Sequence, residues 1–168
     1  MPRKVTMRGN PVKVEGNEVK VGDNAPDATL RKNLATDFKL SETQGKKRIY
    51  SCVPSLDTPV CADQTRRFNK ELGNLPPIDI YTISCDLPVA QARFCNAEGL
   101  DKERMHTLSD HKELQFGKAY GTLLPDLRIL CRAVFIVDEH DKLRYVEYVP
   151  EIAEQPNFDA ILAAVKEL

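Results

Sequence analysis

The chain has 168 residues, 42% of them hydrophobic and 29% charged, so it can bury a full core, and one domain over residues 1–168 is expected. Its formal net charge is -1 with both signs mixed along the chain, which offers no basic surface for nucleic acid. No apolar run reaches the roughly 18 residues that a membrane span needs, and no secretory signal follows the basic start, so a cytoplasmic protein without membrane contacts is expected.

Hydrophobic periodicity and turn residues predict an alternation of strands and helices. In chain order these are an N-terminal β-hairpin within 6–21, a short strand at 37–40, a strand at 48–53, a helix over 62–75, a strand at 78–85, a helix at 88–96, a strand at 105–108, a helix at 110–120, paired strands at 132–138 and 143–149, and a helix at 157–168. Asp86 is the candidate cap of the helix at 88–96. This order predicts an α/β fold whose sheet is mixed, because its last strands form a hairpin.

Cys61 lies where the strand at 48–53 passes into a helix, in or beside the first helical turn. Free backbone N–H groups and the helix dipole stabilise an anion at such a position, so the thiol is expected to lose its proton near neutral pH and to act as a nucleophile. Spacing places Cys61 on the inward stripe with Phe68 and Leu72. From position alone, a small buried hydrophobe at a helix start remains an alternative.

The five cysteines are Cys52, Cys61, Cys85, Cys95 and Cys131. They include no C-x-x-C pair, which disfavours a zinc site and a thioredoxin-type dithiol motif, so neither metal nor cofactor is expected. Cys52 and Cys85 fall in buried strands and are interpreted as inert core residues. In a cytosolic chain the thiols stay reduced, so any disulfide is expected to be transient and catalytic.

Three more residues have a functional and a structural interpretation. Pro54 can shield a thiolate or merely fix a turn. Thr58 carries a hydroxyl that can orient a thiolate, but Thr58 or Asp57 can also serve as an ordinary helix cap. Arg132 opens an apolar strand, where a guanidinium requires a partner, either in a structural salt bridge or at a reactive site.

Pro54, Thr58 and Cys61 together match the P-x-x-x-T-x-x-C motif of peroxiredoxins, in the strand–turn–helix context that the motif needs. The chain resembles the thiol peroxidase branch in particular, through the strings at 57–69, 86–100, 132–139 and 149–162. The resemblance covers nearly the whole chain. It implies a thioredoxin-like fold with a central mixed sheet flanked by helices and an N-terminal β-hairpin, and a homodimer.

The same resemblance assigns roles to the candidate residues. It implies that Cys61 is the peroxidatic cysteine, that Cys95 resolves it through an intrachain disulfide, and that Pro54, Thr58 and Arg132 belong to the site. The substrates are then hydrogen peroxide and organic hydroperoxides, and thioredoxin is the reductant. If Arg132 faces Cys61, strand alternation turns Cys131 away. Arg66 and Arg67 are expected on the helix surface.

Other classes of protein stay open at this point. A glutathione-peroxidase-like site is disfavoured because that family uses a tryptophan and the chain has none. A non-catalytic module with a thioredoxin fold would need no reactive thiol. A cysteine hydrolase would need a histidine base, but His106, His111 and His140 fall in a strand, a helix start and a hairpin turn, and none is an evident partner.

Overall fold

Strands and helices alternate along the chain in the computed structural model, which describes residues 3–168. The elements are β1 (Val5–Met7), β2 (Asn10–Val12), β3 (Thr29–Arg31), β4 (Asp37–Lys39), β5 (Arg48–Cys52), α1 (Pro59–Glu71), β6 (Asp79–Ser84), α2 (Pro88–Glu98), β7 (Met105–Ser109), α3 (Gln115–Tyr120), β8 (Leu123–Leu124), β9 (Ile129–Leu130), β10 (Ala133–Val137), β11 (Leu143–Tyr148) and α4 (Phe158–Lys166).

The central sheet has seven strands in the order β11-β10-β5-β6-β7-β3-β4, counted over the residues that the structure describes. β5 pairs with β6 and β6 with β7 in parallel, whereas the other neighbouring pairs are antiparallel. The parallel pairs are joined through helices, as parallel crossovers require, and β10 and β11 form the predicted hairpin. The predicted α/β class, with a thioredoxin-like mixed sheet flanked by helices, is confirmed.

The two faces of the sheet belong to two separate apolar cores. Neighbouring residues of a strand point to opposite faces, and in β10 Val134 and Ile136 join the core beneath α1 and α4 while Phe135 and Val137 join the core beneath α3. Every residue of β10 is buried, which explains why its sequence AVFIV is apolar throughout. Alternation therefore decides which side chains of β5 and β10 can approach α1.

The N-terminal hairpin is confirmed, but it is shorter than predicted. β1 and β2 pair from Val5–Val12 to Met7–Asn10, and the turn lies at Arg8-Gly9, where both residues have positive φ. Residues 13–21 form no second strand and make only a single bridge, from Glu15 to Leu123. The apolar residues of the hairpin pack in one cluster with Cys131, which lies between β9 and β10.

Further differences concern short elements. β3 lies between the predicted hairpin and the strand predicted at 37–40, where no element was predicted, and the small β8–β9 hairpin was not predicted either. α3 begins at Gln115 rather than at residue 110, because the Asp110 carboxylate accepts hydrogen bonds from the amides of Phe116 and Gly117 and the chain between them forms turns. None of the helices within residues 3–168 has the length and apolar character that crossing a bilayer requires.

Candidate active site

Cys61 occupies the third position of α1, behind the N-cap residue Thr58 and Pro59. The first hydrogen bond of the helix runs from the Ala62 amide to the Thr58 carbonyl, so the amides before it have no acceptor inside the helix. The side chain is 1% exposed and packs against Val53 and Leu56. The predicted strand-to-helix junction thus carries a buried thiol beside free amide donors.

Arg132 is the cation that reaches this thiol. Its Nη2 atom donates to Cys61 Sγ at 3.3 Å, and the residue is 1% exposed. The remaining donors serve neutral oxygens: Nε and Nη2 bond the Ile152 carbonyl at 3.0 and 2.8 Å, and Nη1 bonds Gln64 Oε1 at 2.8 Å. Within residues 3–168 no carboxylate forms a salt bridge with Arg132. The structural salt bridge considered from sequence is therefore absent from the described chain, and the sulfur is the group that can balance this buried charge.

Gln64 completes the contact between α1 and the sheet. It is fully buried one turn after Cys61, and its Nε2 atom donates to Ser51 Oγ on β5 at 2.8 Å while its Oε1 accepts from Arg132. Because both ends of the amide are bonded, the orientation of the guanidinium is tied to β5. Gln64 was not predicted from the sequence, although a polar residue on the inward face of an amphipathic helix is a signal that could have indicated it.

Pro54 and Thr58 lie in the loop that leads from β5 to Cys61. Pro54 is buried, whereas Thr58 is exposed and has the extended backbone of an N-cap. The Thr58 hydroxyl makes no capping bond and instead donates to the Ser55 carbonyl at 2.8 Å, so its oxygen can still accept a hydrogen bond. The structure gives Thr58 no hydrogen bond to Cys61, in contrast to Arg132.

Asp86 accepts hydrogen bonds from this loop. The prediction that it caps α2 is wrong. The N-cap of α2 is Leu87, and no side chain caps it. The Asp86 carboxylate instead accepts from Ser55 Oγ at 2.7 Å, from the Leu56 amide at 2.8 Å and from Ser84 Oγ at 2.7 Å. These partners lie across the loop and at the end of β6, a tertiary arrangement that local capping rules do not reveal.

Cys95 lies on α2, half-buried, in a different apolar cluster from Cys61. Both thiols are free, and Phe94 is the side chain that packs against both clusters. Burial raises the pKa of the Cys95 thiol, partly offset by a hydrogen bond with Thr107. The structure thus brings Arg132 to Cys61 but holds Cys95 in the packed face of another helix.

Arg66 and Arg67 form ion pairs on the exposed surface of the helices that carry the two thiols. Arg66 on α1 bonds both oxygens of Glu98 on α2, at 2.7 and 2.9 Å. Arg67 pairs with Glu71 one turn further along α1. The prediction that both arginines lie on the helix surface is confirmed, and Arg66 additionally ties α1 to α2.

The other three thiols face away from Cys61. Cys52 belongs to the core on the opposite face of the sheet, and burial raises its pKa well above the ordinary value. Burial also raises the pKa of Cys85 to about 12. Cys131 packs beneath the N-terminal hairpin, which agrees with the alternation argument that turns it away from Cys61.

No histidine in the described part of the chain is hydrogen-bonded to Cys61. His106 pairs with Asp79 at 3.2 Å and stacks on Tyr81, and His140 is exposed in the β10–β11 turn. His111 follows β7, which is separated from β10 by β5 and β6 in the sheet. The geometry therefore offers no base for a cysteine hydrolase.

Comparisons with known proteins identify the family of this chain. Residues 20–162 match the Redoxin family model. The chain belongs to the redoxin family. It is 51% identical to a thiol peroxidase from Oceanobacillus iheyensis, covering 95% of this chain and 96% of that protein, and 48% identical to a thiol peroxidase from Bacillus subtilis, covering 98% and 97%.

Solved structures give the same result. A peroxiredoxin-like protein from Aquifex aeolicus superposes with a TM-score of 0.89 at 39% identity, covering 98% of this chain and 96% of that one. A thiol peroxidase from Chromobacterium violaceum also has a TM-score of 0.89, with 99% and 97% coverage, and its 22% identity makes it a likeness of fold. The predicted relationship to the thiol peroxidase branch of the peroxiredoxins, and with it the prediction of an enzyme, is confirmed.

Proposed function

We propose that this peroxiredoxin reduces hydrogen peroxide and organic hydroperoxides to water and alcohols, with Cys61 as the nucleophile. The contact between Cys61 Sγ and Arg132 carries the proposal. A guanidinium that is 1% exposed and has no carboxylate partner within the described chain can stabilise negative charge on the sulfur. The free amides at the start of α1 add to the same positive potential.

The chemistry is a displacement at oxygen. The Cys61 thiolate attacks one peroxide oxygen, an S–O bond forms as the O–O bond breaks, and the second oxygen leaves as water or alcohol after taking a proton. Cys61 is thereby oxidised to a sulfenic acid while the peroxide is reduced. The Arg132 guanidinium stabilises both the thiolate and the charge on the departing oxygen, Thr58 can bond the peroxide, and Pro54 excludes water from the sulfur.

Cys95 is proposed to resolve the sulfenic acid. Its thiolate attacks the Cys61 sulfur, a disulfide forms and the sulfenic oxygen leaves as water. A disulfide requires Cα atoms within roughly 7 Å and correctly directed Cβ vectors, and the two thiols start in separate clusters, so the proposal includes local unfolding of part of α2 and of the first turn of α1. Unfolding also removes the burial that raises the Cys95 pKa, which makes this thiol a better nucleophile. A thioredoxin dithiol then reduces the disulfide and is itself oxidised.

A cleft that shares two of its wall residues with the apolar cluster around Cys61 supports organic hydroperoxides as substrates. It measures about 450 Å³ and lies between the loop at 55–57 and α2, with Leu56 and Phe94 in its wall. Both side chains also pack in the Cys61 cluster, so an alkyl group in the cleft would contact two side chains of that cluster. We also propose that residues 1–168 form one domain and that the protein is a homodimer. Its proposed location is the cytoplasm, where reductants keep thiols reduced.

The test is NADPH oxidation coupled through thioredoxin reductase and thioredoxin, with hydrogen peroxide and a series of alkyl hydroperoxides. Cys61→Ser should abolish turnover while keeping the fold, because a serine hydroxyl is not ionised at neutral pH. Cys85→Ser is the matched control and should turn over normally, since burial keeps that thiol protonated. Substantial activity in folded Cys61→Ser would remove the proposal. Sedimentation and thermal unfolding of the same wild-type sample test the dimer and the single domain.

A further inference from the structure

The segment from Pro150 to Gln155 links the N-terminal hairpin to the reactive thiol. Its Ile152 carbonyl accepts two of the bonds that hold the Arg132 guanidinium, at 3.0 and 2.8 Å. Gln155 Nε2 donates to the Val60 carbonyl, next to Cys61, at 2.8 Å. The segment thus contacts both the cation and the helix turn that carries the sulfur.

The hairpin holds the other side of this segment through its backbone. The Thr6 amide donates to the Pro150 carbonyl at 2.8 Å, and the Ile152 amide donates to the Thr6 carbonyl at 2.9 Å. The Ile152 side chain is buried against Val5 in the cluster beneath the hairpin. A single residue, Ile152, therefore bonds the hairpin through its amide and Arg132 through its carbonyl.

Glu151 fastens the same junction with its side chain. One carboxylate oxygen accepts from the Gly9 amide at 2.7 Å and from Thr6 Oγ1 at 3.1 Å. The other accepts from the Ala153 amide at 2.7 Å. The hydrogen bonds from Ala153 and Gly9 lower the pKa of Glu151, so the group is an ionised acceptor at neutral pH. Its carboxylate connects the hairpin turn to the residue that follows Ile152.

These contacts decide where the Ile152 carbonyl lies, because residues 149–157 form neither a helix nor a strand of the sheet. The neutral oxygens of Ile152 and Gln64 are the other groups that orient the buried guanidinium. We propose that the N-terminal hairpin, acting through Glu151 and Thr6, positions Arg132 for the reaction of Cys61 with peroxide. Glu151 and Thr6 are positioning residues, and this role rests on the catalytic role proposed above for Arg132.

The test compares Glu151→Ala with Glu154→Ala in the full-length chain. Glu154 is an exposed carboxylate in the same segment, and its side chain makes no hydrogen bond within the described residues, so it is the matched control. Two quantities are measured: the rate at which Cys61 is oxidised by one equivalent of hydrogen peroxide, and the pH midpoint of its alkylation by iodoacetamide. Misplacing a catalytic group by about 1 Å can slow a reaction by a hundredfold, so a slowing of about tenfold is expected for Glu151→Ala.

The alkylation midpoint of Glu151→Ala should also move to higher pH, a change that loss of stability alone would not produce in folded protein. Glu151→Gln keeps one carbonyl oxygen and should recover part of the rate. Thr6→Val removes one bond without changing shape and should slow oxidation by a smaller factor, which keeps the proposal testable if Glu151→Ala fails to fold.

Arg132→Met, measured in parallel, separates the two proposals. If Arg132→Met is slow while folded Glu151→Ala and Thr6→Val react with the wild-type rate and midpoint, the positioning role is refuted and the proposed function stands. If Arg132→Met itself reacts like the wild type, the catalytic role of Arg132 fails, and the positioning role fails with it. Slowing by Glu154→Ala as large as that by Glu151→Ala would also refute the specific role of Glu151.

Discussion

Arg132→Met separates the electrostatic role of the guanidinium from its contribution to the core. Methionine fills much of the same buried volume but removes the charge and every donor to Cys61, Gln64 and Ile152. Leaving a buried acceptor such as the Ile152 carbonyl unpaired costs about 1–3 kcal/mol. Removing a buried cation offsets this cost, because its desolvation is no longer required. The free energy of unfolding of the reduced protein should therefore change by less than about 2 kcal/mol.

The effect on the reaction should be much larger. Two unit charges about 4 Å apart interact by about 4 kcal/mol at the effective permittivity of a partly shielded site. Loss of one transition-state contact costs about 3–4 kcal/mol, which is a hundred- to thousandfold in rate. The Arg132–Cys61 distance of 3.3 Å places the pair in this range. Oxidation of Cys61 should slow by about a hundredfold or more, and alkylation by iodoacetamide should require a higher pH.

The assay is rapid mixing of reduced protein with one equivalent of hydrogen peroxide, acid quench and mass spectrometry of the Cys61 peptide. Arg48→Met is the matched control, since Arg48 is a buried arginine of the same sheet, 2% exposed, and pairs with Asp141 instead of a thiol. It should lose stability but not Cys61 reactivity. Oxidation of Arg132→Met at the wild-type rate, with an unchanged alkylation profile, would refute the electrostatic argument.

Two further predictions concern Cys95 and Asp110. In Cys95→Ser the Cys61 sulfenic acid should persist and thioredoxin-linked turnover should largely fail. In the wild type, hydrogen exchange over residues 88–97 should be faster in the oxidised than in the reduced protein. Full turnover by Cys95→Ser, or equal exchange in both redox states, would contradict resolution by local unfolding. Burial raises the pKa of Asp110 from 3.8 to about 6, so the folded protein favours the protonated carboxyl. The contribution of this group to the free energy of unfolding is therefore complete below pH 3.8 and is lost as the pH rises through 6. Relative to Asp110→Asn, the wild type should therefore lose about 2 kcal/mol of unfolding free energy between pH 4 and 7, and parallel stability curves for the two proteins would contradict this.

The sequence predicts those residues of the site that lie in or next to regular helices and strands. A cysteine at a strand-to-helix junction and an arginine at the start of an apolar strand are local patterns. Alternation then fixes the side of the sheet: Arg132 has the same parity as Val134 and Ile136, which face α1, while Cys131 has the opposite parity. The pairing of β10 with β5, which precedes Cys61, brings the two patterns together.

The part that could not be predicted depends on irregular segments that meet across the fold. The Ile152 carbonyl is a backbone group, so no residue type marks its role in holding Arg132. Asp86 satisfies the local rule for a helix cap but bonds the loop at Ser55 and Leu56, which lies beside it because β5 and β6 are paired. Gln64 is an intermediate case. The helical periodicity of α1 predicts that its side chain faces inward, but its hydrogen-bond partners, Ser51 and Arg132, come from distant parts of the chain.

A second cysteine–arginine pair shows what distinguishes Cys61. Arg3 Nη2 donates to Cys131 Sγ at 3.4 Å, nearly the distance of the Arg132 contact, yet burial raises the pKa of Cys131 despite this cation. Arg3 also faces Glu18 at 3.7 Å and lies 3.8 Å from the ring centre of Tyr148, so other groups already compensate its charge. Arg132 has no such partner within the described residues. The Arg132 guanidinium thus faces the Cys61 sulfur without another counter-charge in the described chain, and Cys61 lies beside free amides at a helix start, whereas Cys131 lies between two strands.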